Sequence, residues 1–437
     1  MNYKYTEIID YLREEIENDV YTNKLPSIRA LAIKFDCSNS TVIRAYNELI
    51  SMDLVFSAPK SGYFINTKKR NDFVDFDFYS GIPSDDLIPY KDLKKSYDYI
   101  LNKENLQLLN YSYPMGYNLL REYISLKTNS SEVSLDSVMV TSGIQNSLDI
   151  ILSNLKEDEY ILVEDPTYNI LIASLDIKKV KYKVVKRTIE SIDLVEMEDI
   201  LKNYTIKYFF TVSRNHNPLG TDLSENQIKE IIDLSYKYDF YIIEDDYLKD
   251  ISKGPTFFKY SKEKTIYIRS YSKSISPALR LSYMITPKKL VHDYTNSGTY
   301  LNLGASLLNQ GVLLHYLKSE SYNKNIDLLE DYLKQNIMIY KNAMVNFPYK
   351  FSIPECGFYS YIEFPENFAL DTLIENLKVK GFLFRKITGF TLKDNVKALR
   401  ISLVRVRPDS MNDAMTSLVD ETLKLKDKKK NENKLYI

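Results

Sequence analysis

From about residue 77 onward, seven short apolar runs (138–141, 160–163, 182–185, 206–211, 240–243, 265–268 and 281–285) alternate with stretches of helical periodicity such as 224–238. Short runs in this alternation are candidate strands, and the alternation predicts an α/β domain around a sheet. In such sheets ligands settle at the carboxyl ends of the strands. The polar residues that follow each run therefore carry the functional reading.

The most informative of these follows 265–268: Ser270-Tyr271-Ser272-Lys273-Ser274-Ile275-Ser276-Pro277-Ala278-Leu279-Arg280. A lysine at the end of a buried strand can lose its proton by desolvation and become a nucleophile. An arginine and two serines close by offer a phosphate fixed charge and hydrogen-bond donors. A lysine beside a phosphate seat is the chemistry of a pyridoxal-phosphate Schiff base. Taken alone, Ser-x-Ser-Lys is also an ordinary solvated loop. Four other strand ends add to it. Thr141-Ser142-Gly143-Ile144-Gln145 opens a helix, whose N-terminus favours an anion. Glu164-Asp165-Pro166-Thr167-Tyr168 sets an aromatic ring beyond a strand. Asn215-His216-Asn217-Pro218-Leu219-Gly220 carries Asn217 in a turn. Glu244-Asp245-Asp246-Tyr247 clusters carboxylates where burial is costly unless something cationic pairs with them; a protonated pyridine nitrogen would be such a partner. His216 has no companion at metal-ligand spacing and reads as structural or exposed.

Residues 1–65 form a separate unit. Apolar residues at 8, 9, 12 and 16 mark an amphipathic helix over 5–16. Ser27 is a candidate N-cap for a helix over 28–35, and Ser38 or Asn39 caps a third reaching about residue 52. Two short strands, 54–56 and 63–65, flank a turn at 58–62. This is a helix-turn-helix with a wing. The whole chain carries 58 basic and 59 acidic residues, so any attraction to nucleic acid must be local. Between Asn23 and Arg70 eight basic residues face three acidic ones. A polar face on the third helix, with Arg44 and hydroxyls at its start, suits phosphate and base-edge contacts in a major groove. Residues 66–76 read as a charged linker, and 426–437 as a solvated, disordered tail. Two cysteines and three histidines exclude a disulfide framework and make a zinc cluster improbable. Charged residues near the N-terminus and the lack of a long apolar run imply a cytoplasmic protein with no membrane association.

Leu25-Pro26-Ser27-x-Arg29-x-Leu31-Ala32, Ser40-Thr41-Val42-x-Arg44-Ala45-Tyr46-x-x-Leu49 and Ser61-Gly62-Tyr63-Phe64 resemble the winged-helix domain of GntR-type bacterial regulators. The resemblance implies DNA contacts by Ser27, Arg29, Ser40, Thr41, Arg44, Lys60 and Gly62. The strand-end motifs of the second unit, in order and over residues 77–425, resemble fold-type-I aminotransferases, with a small α+β subdomain over about 330–425 opened by a helix over 326–345. Together the two parts resemble the MocR subfamily of GntR regulators. The resemblance implies pyridoxal 5′-phosphate bound to Lys273. It gives Ser270, Arg280, Gly143, Ile144 and Gln145 the phosphate, and Asp245 the pyridine nitrogen. Tyr247 and Asn217 would meet the ring oxygen, and Tyr168 the ring face. Arg400, in Ala398-Leu399-Arg400-Ile401-Ser402, matches an arginine that clamps a substrate carboxylate. Tyr111 matches a tyrosine lent to the neighbouring subunit's site, which implies a homodimer. Ser282, Cys356 and Leu219 depart from the family's usual residues.

The leading expectation is a transcriptional regulator that binds a double-stranded operator and senses an amino compound, or the cofactor, through its aminotransferase-like unit. The alternative is a working aminotransferase or related lyase with an appended DNA-binding head. A third is a sensor that binds DNA but no cofactor.

Overall fold

The computed structural model describes residues 4–17, 20–21, 23–51, 54–58, 62–65, 75–103, 106–128, 133–302, 304–393 and 396–434, excepting the side chains of 17, 51 and 427–434. The chain divides into two compact units, residues 1–75 and 76–437. Most of the expected linker, and Lys60 of the wing turn, lie outside the described residues.

In the first unit, helices α1 (Lys4–Glu17), α2 (Ile28–Lys34) and α3 (Asn39–Ser51) precede a hairpin of β1 (Val55–Ala58) and β2 (Gly62–Ile65). Ser27 caps α2 by accepting from the Ala30 amide at 3.2 Å, which satisfies one of the helix's free N–H groups. Ile8, Leu12, Leu31, Val42, Tyr46, Leu49, Val55 and Ile65 close into one buried core. Tyr46 joins helix to wing: its ring stacks on Tyr63 at 3.8 Å, and its hydroxyl donates to the Pro26 carbonyl at 2.5 Å. The hairpin is antiparallel, with Val55 opposite Ile65 and Ala58 opposite Gly62.

The second unit begins with β3 (Phe76–Asp77). Its centre is a sheet of seven strands: β4 (Val138–Thr141), β5 (Tyr160–Asp165), β6 (Tyr182–Lys186), β7 (Ile206–Thr211), β8 (Tyr241–Asp245), β9 (Thr265–Ser270) and β10 (Ser282–Ile285). They lie in the order β4-β10-β9-β8-β7-β5-β6. β5 to β9 are mutually parallel, and β10 runs antiparallel to both neighbours. These are the seven runs legible in the sequence. β4, β8, β9 and β10 are buried along their length, as a sheet covered on both faces requires.

A 24-residue helix, Glu320–Ala343, leads out of this layer; it starts earlier than the spacing at 326 suggests. Beyond it a smaller antiparallel sheet has the order β11-β12-β15-β14, from β11 (Lys350–Phe351), β12 (Tyr359–Glu363), β14 (Arg385–Lys386) and β15 (Ala398–Ser402). β13 (Phe382–Leu383) pairs parallel with β3, tying this part to the unit's first residues. The final helix is Pro408–Lys434. It corrects the expectation of an irregular tail. No glycine or proline follows Pro408, so nothing breaks the helix anchored by buried Met411, Met415 and Leu418 before it reaches the charged stretch. No helix among the described residues is long and apolar enough to cross a membrane.

Candidate ligand-binding site

The carboxyl ends of the central strands open into a cavity of about 480 Å³. Its floor is built by local chain geometry. After β4, Gly143 adopts φ +116 and caps the helix Ile144–Leu152. A Cβ there would stand 2.9 Å from Arg280 Nη2, so the absence of a side chain lets the guanidinium settle against the helix N-terminus. Arg280 is itself left-handed (φ 49, ψ 48) at the end of the short turn Pro277–Leu279 between β9 and β10. Ser270 Oγ donates to Ser272 Oγ at 3.1 Å and accepts from the Ser272 amide at 3.2 Å. Two hydroxyls, a guanidinium and a helix N-terminus therefore face one space, which is the donor set for a phosphate.

Three consecutive acids end β8 and fare differently. Glu244 accepts from Ser213 and from the Phe257 and Phe258 amides. Asp246 is held by Arg214 through two bonds of 2.8 and 2.6 Å, and by the Tyr267 hydroxyl at 2.6 Å. Asp245 lines the cavity, is 7% exposed, and its Oδ1 has no hydrogen-bond partner. Burial, then the Asp246 charge, push Asp245 up to about 8, against the opposing pull of Lys273. The Lys273 ammonium donates to the Gly81 carbonyl at 2.5 Å.

The rim comes from distant parts of the chain. Residues 79–82 line the cavity. Arg400 donates to the Tyr79 carbonyl at 2.5 Å and to Asn217 Oδ1 at 3.2 Å. Its guanidinium lies 4.2 Å from the Tyr359 ring centre. Arg385 donates to the Tyr79 hydroxyl and lies 4.6 Å from that ring's centre. Burial raises the Tyr359 hydroxyl, but the charges of Lys273, Arg400 and Arg385 outweigh it and hold it below the ordinary tyrosine value. Tyr168, by contrast, is pushed up to about 12 by burial and then by Asp245. Tyr247 is buried, and its hydroxyl donates to the Asn215 carbonyl at 2.6 Å.

Lys273, Asp245, Tyr247, Asn217, Tyr168, Ser270, Arg280, Gly143, Ile144, Gln145 and Arg400 thus line one cavity. Tyr111 does not; it is 93% exposed. Sequence reasoning missed Tyr79, Gly81, Ser272, Tyr359 and Arg385. Ser272 sits inside the recognised loop, but the other four carry no local motif. His216 is fully buried, with Nε2 3.1 Å from Glu164, which also pairs with Arg187. Burial and then Arg187 lower it to about 4, so it is a neutral structural group. Two of the three departures have a visible structural role. Ser282 bonds Thr141 at 2.6 Å, and Leu219 packs with Tyr361, Ile387 and Phe390. Cys356 is half-buried, and burial raises its thiol.

In the head, Arg29, Ser40 and Arg44 are exposed, and Gly62 adopts φ +106 on the wing. Ser38 bonds the Ser40 and Thr41 hydroxyls at 2.7 and 2.9 Å, pinning the start of α3. The Arg44 guanidinium rests 4.0 Å from the Tyr5 ring centre.

A strand-end cavity with this donor set, on a mainly parallel sheet with a small antiparallel sheet at its rim, defines an aminotransferase fold. Residues 77–418 match the aminotransferase class I and II family, and the chain belongs to it. Residues 4–65 match the bacterial regulatory proteins of the gntR family, so a GntR helix-turn-helix is fused to an aminotransferase domain, the MocR arrangement. YcxD of Bacillus subtilis, named an uncharacterized HTH-type transcriptional regulator, is 29% identical over 434 residues, covering 93% of this chain and 97% of that relative. NorG of Staphylococcus aureus, named an HTH-type transcriptional regulator, is 24% identical over 424 residues, covering 87% and 95%. The fold is shared with LysN, the alpha-aminoadipate aminotransferase of Thermus thermophilus (TM-score 0.73, 20% identity, 82% of this chain and 94% of that one). It is shared too with the multiple substrate aminotransferase of Thermococcus profundus (TM-score 0.75, 19% identity, 83% and 94%).

Proposed function

We propose that this chain is a pyridoxal 5′-phosphate-dependent, DNA-binding transcriptional regulator. Its winged head binds a double-stranded operator, and its aminotransferase-fold unit senses an amino compound or the cofactor itself. The observation that carries the reading is a lysine, an unpartnered buried carboxylate and a phosphate-type donor set in one cavity, in a chain that also carries a GntR head. Relatives named as transcriptional regulators align along almost their whole length. Cytoplasmic location and a homodimer, with Tyr111 serving the neighbouring copy's cavity, belong to the same reading.

The residues present fit the cofactor. Asp245 Oδ1 lacks a donor, and a protonated ring nitrogen is one. Arg280, Ser270, Ser272 and the amides near Ile144 would hold the phosphate, and Lys273 the aldehyde carbon. Tyr168 would cover the ring, with Tyr247 and Asn217 near its oxygen. When bound, the cofactor supplies an electron sink next to an amine's Cα. Arg400 would clamp the carboxylate of an amino acid. The amine acts as a signal only through different affinities for two arrangements of the protein.

Borohydride reduction of the cofactor-loaded protein should attach the label to Lys273 and to no residue in Lys273→Ala. An unlabelled Lys273 overturns the cofactor assignment. Lys273 and Arg400 in one cavity also favour a second reading, an active aminotransferase. Sustained turnover of an amino donor and a keto acid at about 1 per second or more would select it.

A further inference from the structure

The two rim arginines are neighbours by construction. Arg385 on β14 and Arg400 on β15 are register partners in an antiparallel pair. Directly opposite residues share a face of the sheet, with Cβ atoms roughly 4.5–5.5 Å apart, and like charges so placed repel. Both side chains line the cavity and both bond Tyr79. Both also flank the Phe390 ring, at 5.2 and 5.4 Å from its centre. Neither forms an ion pair with a carboxylate among the described residues, and Arg400 Nε has no hydrogen-bond partner at all.

The cavity's charges make the surplus explicit. Lys273, Arg280, Arg385 and Arg400 line it against one carboxylate, Asp245. On the reading above, Arg280 meets the cofactor's phosphate, Asp245 its ring nitrogen, and Arg400 an α-carboxylate. Arg385 is the one cavity cation left without a role on that reading. One nitrogen of its guanidinium donates to the Tyr79 hydroxyl, and the remaining donors suit a planar anion, because the bidentate geometry matches a carboxylate.

We infer that the ligand is an α-amino acid with a second acidic group, held by Arg400 at its α-carboxylate and by Arg385 at the acidic end of its side chain. Arg385 is then a specificity residue, and a neutral aliphatic side chain would leave it without an ionic partner. Their places opposite each other in the β14–β15 pair, both close to Phe390, keep the two side chains neighbours in the cavity. This inference rests on the proposed amine-sensing function.

The test uses the full-length protein loaded with pyridoxal 5′-phosphate. L-Glutamate, L-2-aminoadipate and L-leucine are titrated in turn, with calorimetry and the cofactor's absorbance band as readouts. Wild type should prefer a dicarboxylate to leucine. Arg385→Gln should weaken the dicarboxylate by on the order of 10-fold or more and leave leucine within about 2-fold. Arg385→Lys, which keeps the charge, should retain part of the preference, and Arg400→Leu should weaken all three. Equal weakening of leucine and dicarboxylate in Arg385→Gln would make Arg385 a second clamp on the α-carboxylate and overturn the inference. So would a wild type that binds leucine as tightly as either dicarboxylate, though amine sensing would survive. A cofactor-loaded wild type that responds to no amino acid overturns amine sensing and this inference together.

Discussion

Two sets of arginines sit within one unit and behave differently: one is buried, and of the other Arg400 is buried, Arg385 half-buried and Arg280 exposed. Arg187, Arg214 and Arg269 each pair with an acid: Glu164, Asp246 and Asp250. Each acid takes further donors, such as Thr211 on Glu164, Tyr267 on Asp246 and Tyr322 on Asp250. Arg280, Arg385 and Arg400, a few residues away in the fold, line the cavity without an acidic partner. The first set has its charge matched within the protein, although Arg187 Nε and Arg269 Nε, like Arg400 Nε, lack a hydrogen-bond partner. The second has no matching acid among the described residues. The same division runs through the acids at the end of β8, where Glu244 and Asp246 are saturated and Asp245 is not.

The sharpest break between the sets is in stability. Asp246→Ala strands the Arg214 guanidinium and should cost about 3–5 kcal/mol, measured by urea unfolding. Arg400→Met removes a cation that has no acid to strand, and should change stability by about 1 kcal/mol or less. If both cost the same, the division is wrong. Gly143→Ala comes next. Its φ of +116 and the 2.9 Å approach to Arg280 Nη2 predict a loss of about 1–3 kcal/mol. Cofactor affinity, followed by absorbance titration, should fall with it as Arg280 is displaced.

The last test is a pH dependence. Asp245, at about 8 in the folded protein, sits far above the roughly 3.9 of an unfolded aspartate. The folded state therefore holds its proton more tightly. The stability this contributes is full below about pH 4, is lost as pH rises toward 8, and changes no further above it. In cofactor-free protein, Asp245→Asn should then match wild type near pH 4 and exceed it in Tm near pH 8. A difference that does not grow with pH would remove Asp245 from the unpaired set.

The legible parts of this molecule are those whose position is fixed by near neighbours in the chain. The seven strands announce themselves as apolar runs, and Asp245, Lys273 and Gly143 stand within a few residues of a strand's end. Ser27 was legible as a cap because capping is local. Arg385, Tyr79 and Tyr359 reach the cavity through pairings between far segments. Arg400 bonds Tyr79 across 321 residues of sequence, and Lys273 bonds Gly81 across 192. No short motif encodes such a meeting. The charged C-terminal stretch failed for the opposite reason: composition suggested disorder, but the preceding buried helix propagates through it.

Lys273, Arg385 and Arg400 are all engaged by one short segment, through the Gly81 carbonyl and the hydroxyl and carbonyl of Tyr79. Those are the groups that a cofactor-bound amino acid would claim. A ligand in the cavity would compete with residues 79–81 for the same three cations. That segment follows directly on β3, the first strand of the unit.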